Sequence, residues 1–413
     1  MTSHFFLLRD ALSPERLGWM EELLKFYFLK LNPQSFLHAS KERDAVFIFF
    51  LTGDALYSLQ DPSMIEIWEK FLSLPSIKLV CDQEELAFRG ITTERLKMKN
   101  PELVITHNSL ALNGRSSFWK DVTRYARQHD QPIPSTIGYL LMASPYMNRS
   151  SGILLDCLSA ALESHASCDL YCYLDGVHIG QHGQNPMDAE NIGVALENLD
   201  TRAGKRGLHL QVYASARCAE TRGYCVLDEK EGLVPTCIIK QVKLRELKDI
   251  ALQFRSNHII ISENCATFFA KKENTKQSLG FDEKGRVPPI TILIARHPLG
   301  SEYASGALEF AIACALRDIQ TRVIFIEDGV YALTGVQSPN KKTNGFNLQE
   351  AIDAASGSEN LQFFVYTPSL TARNINKNRK LTGVIPITIA DLGNLLFFMP
   401  TGVVASHQRV LFF

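Results

Sequence analysis

The sequence predicts an α/β chain made of three successive copies of one small module, each a mainly parallel sheet with helices on both faces. Three observations predict it. An apolar, strand-like run ending at an acidic turn occurs three times at domain-sized spacing. Each occurrence is preceded by a strand, a turn and a helical pattern, and followed by another short strand leading into a loop and a helix start. The 413 residues also exceed what one ordinary core accommodates.

The recurring runs are AVFIFFLTGDALY (45–57), LYCYLDGVH (170–178) and VIFIEDGVY (323–331). Their acidic residues are Asp54, Asp175 and Asp328, and two copies share Asp-Gly-Val outright. A carboxylate at such a turn is read as structural, accepting from nearby backbone N–H groups. Upstream of the first run, Phe5–Leu8 is a strand, and a helix starts at Ser13, an N-cap candidate with a proline and Glu15 in the first turn. Upstream of the second, Thr136–Met142 is a strand, Ser144-Pro145 a turn, and Leu154, Leu158, Ala161 and Leu162 a helical stripe. Upstream of the third, Ile290–Ala295 is followed by His297–Gly300 and the stripe Ala304, Leu308, Ala311, Ala315. Downstream strands are Ile77–Cys81, Leu208–Tyr213 and Leu361–Tyr366.

The second copy closes with a helix over Leu244–Phe254 and a strand at His258–Ile261. The third closes with Ala390–Phe398 and Val410–Phe412. The first has a closing helix near Phe118–Arg127 but no evident last strand, so it is read as degenerate or as borrowing one. The boundaries follow as 1–132, 133–270 and 289–413, with a polar linker at 271–288.

Composition narrows the functional classes. Hydrophobic residues make up 46%, charged residues 21%, and the formal net charge is −1, so no overall field favours nucleic acid or an anionic membrane. The opening MTSHFFLLRD lacks a basic n-region, and no apolar run approaches the ~20 residues of a spanning helix. Nine cysteines without a CxxC pair argue against structural zinc and a disulfide framework, and for reduced thiols in a cytoplasmic protein. His178 and His182, near Cys172, have a spacing that suits a metal only on a helix, and His178 follows a strand and a glycine turn. No metal or nucleotide cofactor is expected.

Sites in open α/β sheets form beyond the carboxyl ends of the strands. The loop after Tyr213 reads ASARCAETRGY (214–224). With Ser215 as cap, Cys218 falls in the first helical turn, with Arg217 and Arg222 close in sequence, conditions that lower a thiol pKa. In the first copy Cys81 and Arg89 occupy the corresponding loop, but Asp82 and Glu85 oppose a thiolate. The third copy keeps Arg373 and has no cysteine there.

The Cys-x-x-x-Arg-Gly loop of the second copy and the Asp-Gly-Val turns resemble those of the DsrE/DsrF family of sulfur-relay proteins, the subunits of TusBCD and DsrEFH type complexes. Cys218 matches the second cysteine of a familial Cys-x-x-Cys-x-x-x-Arg-Gly pattern, with Ser215 where the first would stand. Cys81 with Arg89-Gly90 is similar to the single-cysteine form. The resemblance implies a cytoplasmic sulfur carrier or sulfurtransferase. Cys218 would hold a persulfide, Cys81 would be a second site, and Arg217, Arg222 and Arg89 would stabilise thiolates. It also implies protein donors and acceptors, TusA-like or similar carriers, and a homodimer. A non-catalytic scaffold or binding protein, and a thiol redox sensor pairing Cys218 with Cys225 or a partner, are the competing readings.

Overall fold

In a computed structural model of the chain, the described residues are 2–31, 47–74, 77–92, 104–107, 117–126, 136–146, 150–256, 259–262, 267–272, 289–334, 348–375, 382–398 and 409–413. Most of the 271–288 linker, the 130–134 boundary and Cys265 lie outside them. The chain divides into two compact units. Unit 1 takes residues 1–106, 265–275 and 281–413, and unit 2 takes 107–264 and 276–280.

Unit 1 holds the first and third copies on one sheet. The first contributes β1 (Thr2–Leu8), α1 (Pro14–Leu31), β2 (Phe47–Leu51), α2 (Pro62–Leu72), β3 (Ile77–Asp82), α3 (Gln83–Phe88) and β4 (Val104–His107). Unit 2 is built from α4 (Ser117–Ala126), β5 (Thr136–Leu141), α5 (Ser150–Glu163), β6 (Ser167–Cys172), α6 (Ile192–Lys205), β7 (Leu210–Ser215) and α7 (Ala216–Thr221). It continues with β8 (Cys225–Asp228), β9 (Gly232–Pro235), β10 (Val242–Arg245), α8 (Leu247–Ser256) and β11 (Ile259–Ser262). The chain then returns to unit 1 through β12 (Thr267–Lys272), β13 (Ile290–Ile294), α9 (Tyr303–Ala315), β14 (Thr321–Phe325), α10 (Leu348–Ala355) and β15 (Leu361–Tyr366). It ends with α11 (Thr367–Ala372), β16 (Val384–Ile387), α12 (Ile389–Phe397) and β17 (Arg409–Phe412).

The strand orders repeat. Unit 2 has β10-β7-β6-β5-β11, all parallel. The third copy has β16-β15-β14-β13-β17, again all parallel. The first has β4-β3-β2-β1, and the fifth place beside β1 is taken by β12. β12 runs antiparallel to both β1 and β17, so it welds two half-sheets into one of ten strands. The strand that the first copy lacks in its own stretch of sequence is thus supplied by residues that follow the second copy in the chain.

The inner strands are buried and mainly apolar because both faces are covered: Phe47–Leu51, Ser167–Cys172 and Ile290–Ile294 are buried throughout, Ser167, Asp169 and Thr291 being the polar exceptions. The fold is therefore α/β, with mainly parallel sheets flanked by helices, as the sequence predicts. Three details differ. Each copy has a fourth strand, β4, β10 or β16, that the hydrophobic pattern does not announce. These are four-residue edge strands, and β16 even carries Pro386, which an edge tolerates. Val242–Arg245 is consequently extended, and the helix read from Leu244 starts at Leu247. The helix near Phe118–Arg127 belongs to unit 2 as α4. There it buries Phe118, Trp119 and Val122, and its Lys120 Nζ meets Glu163 Oε2 of α5 at 2.9 Å.

At the end of the second strand all three copies turn the same way. The residue before each aspartate is left-handed: Gly53 (φ 57°), Leu174 (φ 50°) and Glu327 (φ 52°). A 3-10 turn follows, at Gly53–Leu59, Leu174–Gly180 and Glu327–Leu333. Glycine adopts this φ freely, whereas leucine and glutamate each cost about 1–2 kcal/mol there. In the second and third copies the residue after the aspartate lies against the end of the first strand. A Cβ on Gly176 would sit 2.1 Å from Leu141 O, and one on Gly329 would sit 1.9 Å from Ile294 O. That contact is why Asp-Gly recurs in these two copies.

Candidate functional site

The turns after the second strands and the short helices after the third strands meet at the carboxyl ends of the sheet in each copy. One ion pair is common to all three. Arg222 donates through Nε to Asp175 Oδ1 at 2.9 Å, Arg89 through Nη2 to Asp54 Oδ1 at 2.9 Å, and Arg373 through Nε to Asp328 Oδ1 at 2.8 Å. The same guanidinium reaches back to the carbonyl four residues earlier, that of Cys218 (3.3 Å), Glu85 (3.4 Å) or Ser369 (3.4 Å). The three aspartates therefore anchor an arginine on the neighbouring helix.

This frame fixes which residues correspond. Counting from the arginines, Cys218, Glu85 and Ser369 share one position, and Cys81 stands where Ala214 and Val365 stand, at the strand end. Cys218 lies in the first turn of α7, 8% exposed, with its backbone N–H donating to the capping Ser215 Oγ at 3.4 Å. Arg217, in the same turn, is exposed. Cys81 is wholly buried. Burial, and then the charge of adjacent Asp82, push its thiol well above the usual range, so it stands as a neutral thiol. Burial likewise lifts Asp82 to about 6, against a hydrogen bond from Thr52 Oγ1 at 2.9 Å. Arg89 is held by Asp54 and by Glu85, which occupies the position of Cys218.

In the third copy the cluster is closed by the first. Glu15, on α1, takes Arg373 bidentately, with Nη1 to Oε1 and Nη2 to Oε2 both at 2.9 Å. Ser369 Oγ donates to Glu15 Oε1 at 3.1 Å and accepts from Glu327 N at 2.9 Å. Glu327 in turn binds Arg16 Nε and Nη2, and Trp19 Nε1, all at 2.9 Å. The Arg16–Glu327 pair is 10% exposed on each side. These loops form an internal joint of unit 1.

The second copy brings together polar groups that the other two lack. His178 Nδ1 lies 2.5 Å from Tyr224 Oη, and its Nε2 lies 3.7 Å from Asp175 Oδ1. Burial lowers the His178 pKa, Asp175 raises it, and Arg222 lowers it further. Cys225 is buried, its Sγ 3.7 Å from Ala216 O. The Tyr224 contact and Cys237 are absent from the sequence reading. The signal available is the pair of positions where this copy departs from the other two: Tyr57 and Tyr331 stand at the position of His178, and Ile91 and Ile375 at that of Tyr224. Among the described residues no group of three or more His, Cys, Asp or Glu side chains is placed to hold a metal, and no helix is long and apolar enough to cross a membrane.

Parallel five-strand sheets with a cysteine or its replacement beside an arginine–aspartate lock define a class of small α/β modules. The profile of the DsrE/DsrF-like family matches residues 289–400, the third copy. The chain is similar to two archaeal proteins of about one module each. The uncharacterized protein MJ0989 of Methanocaldococcus jannaschii is 29% identical over 104 residues, 25% of this chain and 87% of that protein. The uncharacterized protein MK0008 of Methanopyrus kandleri is 30% identical over 105 residues, 25% of this chain and 84% of that protein. Among solved structures, the ychN protein from E. coli aligns over 30% of this chain and 99% of its own, at 23% identity and a TM-score of 0.24. The chain belongs to the DsrE/DsrF-like family.

Proposed function

We propose that this protein is a sulfur carrier or sulfurtransferase that holds sulfane sulfur as a persulfide on Cys218. The observation that carries the reading is positional. Where the first copy places a paired glutamate and the third a buried serine, the second places a cysteine in a capped first helical turn. The helix N-terminus favours a thiolate there. The thiolate attacks the outer sulfur of a donor persulfide, the donor leaves as a thiolate, and the new persulfide remains open to attack by an acceptor thiol. Donor and acceptor are taken to be proteins, in a complex of two copies of the chain.

A second reading, a non-catalytic binding protein, is favoured by the third copy, where the equivalent loops serve only to seat Glu15 and Arg16. Intact-protein mass spectrometry after incubation with a persulfide donor separates the two. A gain of one sulfur that is lost in Cys218→Ser and kept in Cys81→Ser supports the carrier. No gain in any variant, with thiols reduced, leaves the binding protein.

A further inference from the structure

The second copy carries a histidine and a tyrosine on its arginine–aspartate lock, and the two are bonded to each other. His178 stands on the 3-10 turn of Asp175, where the other copies have tyrosines, and Tyr224 follows α7, where they have isoleucines. Those tyrosines are used differently. The Arg89 guanidinium lies over Tyr57 at 5.6 Å, and Tyr331 packs on His297 with ring centroids 4.9 Å apart. In the second copy both positions change together, and the product is a hydrogen bond between His178 Nδ1 and Tyr224 Oη at 2.5 Å, the rings meeting edge to face. This bond closes a circuit. Tyr224 N donates to Ala219 O at 2.8 Å, back onto α7. Arg222, just after α7, donates to Cys218 O at 3.3 Å, and to Asp175 Oδ1 through Nε at 2.9 Å and Nη2 at 2.6 Å. The same Asp175 Oδ1 lies 3.7 Å from His178 Nε2. One carboxylate oxygen is therefore shared between the arginine bonded to the Cys218 turn and a histidine whose side chain is 33% exposed.

We propose that His178 and Tyr224 are positioning residues of the carrier site, which set through Asp175 how much of the Arg222 charge reaches the turn of Cys218. The proposal rests on the carrier reading above. With the imidazole neutral, the Tyr224 O–H donates to Nδ1, and the ring proton stays on Nε2, facing Asp175. Arg222 then holds the carboxylate at close range and is compensated by it. Protonation changes the balance. His178 takes a proton from solvent, Nδ1–H donates to the Tyr224 oxygen, and the positive charge at Nε2 competes with Arg222 for the shared oxygen. Arg222 is then less compensated, and an anion on Cys218, thiolate or persulfide, is favoured. Burial opposes the imidazolium, Asp175 on its own turn favours it, and Arg222 opposes it. Tyr224 is the other titratable group against the ring, and the loop beyond is fixed by His182 N donating to Cys237 O at 2.7 Å.

The test uses the full chain, iodoacetamide as alkylator, and peptide mapping by mass spectrometry to follow the rate at Cys218 from pH ~8 to pH ~5. The ratio of the wild-type rate to that of His178→Gln is expected to rise about threefold over this range, as the histidine charges. In Tyr224→Phe, which deprives Nδ1 of its donor, the same rise is expected to begin at higher pH. A ratio constant with pH means that the pair only packs the loops, and it overturns the proposal. So does a Tyr224→Phe profile that rises where the wild type does. Hydrogen exchange in β6 shows whether each variant keeps unit 2 folded. Where one does not, NMR of the wild type decides. Arg222 side-chain signals that follow the titration of His178 support the proposal, and signals indifferent to it overturn it. Inorganic polysulfide tests the carrier reading apart from this. Sulfur on Cys218 with a constant alkylation ratio keeps the carrier and removes the pair, whereas a Cys218 that never gains sulfur overturns the carrier reading whatever its alkylation profile.

Discussion

Units 1 and 2 repeat one strand order and use the same loops in opposite ways. In unit 1 the third copy's arginine–aspartate cluster is filled by Glu15 and Arg16 of the first copy, and charge, aromatic and hydroxyl groups saturate one another. In unit 2 the matching loops hold Cys218 in a capped turn and join His178 to Tyr224. The difference teaches what decides the residue four before the arginine. Ser369 must donate to a carboxylate and accept from the N–H of Glu327, two demands that a thiol meets weakly. The joint of unit 1 selects a hydroxyl there, and the proposed carrier site of unit 2 holds a thiol.

The largest test breaks the joint. Glu327→Leu leaves the Arg16 charge buried without its carboxylate and should destabilise unit 1 by about 3–5 kcal/mol. Asp175→Asn, in the half-exposed pair of unit 2, should cost about 1 kcal/mol or less. Urea titration followed by hydrogen exchange in β14 and β6 reads the two units separately. Equal losses would remove the contrast between joint and site.

Next in size, Gly176→Ala and Gly329→Ala should each cost about 1–3 kcal/mol, each in its own unit, because both force a Cβ onto a strand-end carbonyl. The same exchange readout applies, and a neutral result at either glycine would mean that the two turns are not built alike.

The most gradual effect is the pH dependence that His4 gives to unit 1. His4 is wholly buried against Tyr27 and Phe47, with its pKa lowered by burial from 6.5 to about 3, whereas unit 2 places Ile137 at the same strand position. Below pH 6.5 the unfolded chain binds a proton that the folded chain refuses. Stability therefore falls with falling pH, by about 1.4 kcal/mol per pH unit, down to the folded pKa near 3. Asp82, raised to about 6 by burial, works in the opposite sense between there and 3.8. Thermal unfolding of wild type against His4→Phe isolates the histidine, with a gap that shifts steadily against wild type as pH drops. A constant gap from pH ~7 to ~4 would mean that His4 charges without unfolding the chain.

Much of this was legible in the sequence and some of it was not, for physical reasons. Buried parallel strands write long apolar runs, so the inner strands and the acidic turns could be read directly. The four-residue edge strands bury at most one face, and their short mixed patterns blend into neighbouring helices, as at Val242–Arg245. Ser215 and Arg222 make Cys218 legible in the sequence. Its counterparts Glu85 and Ser369 are not, because the strand end draws the eye to Cys81 and only the spacing to Arg89, Arg222 and Arg373 separates the two positions. The Glu15–Arg373 contact spans 358 positions and has no local signature. Tyr224 looks like an ordinary loop residue until the fold sets its hydroxyl beside His178.

β12 has a consequence for how the chain is made. β1 is made about 260 residues before β12, and Phe5, Phe6 and Leu7 lie on the edge that β12 covers. At a synthesis rate of ~5–20 residues per second, that edge waits roughly 10–50 s for residues 267–272 to appear. An unpaired apolar edge held open for that time is a template for pairing with another chain. The first copy, although earliest in order, is therefore completed only after the second, and its open edge depends on a strand made about 260 residues later for protection.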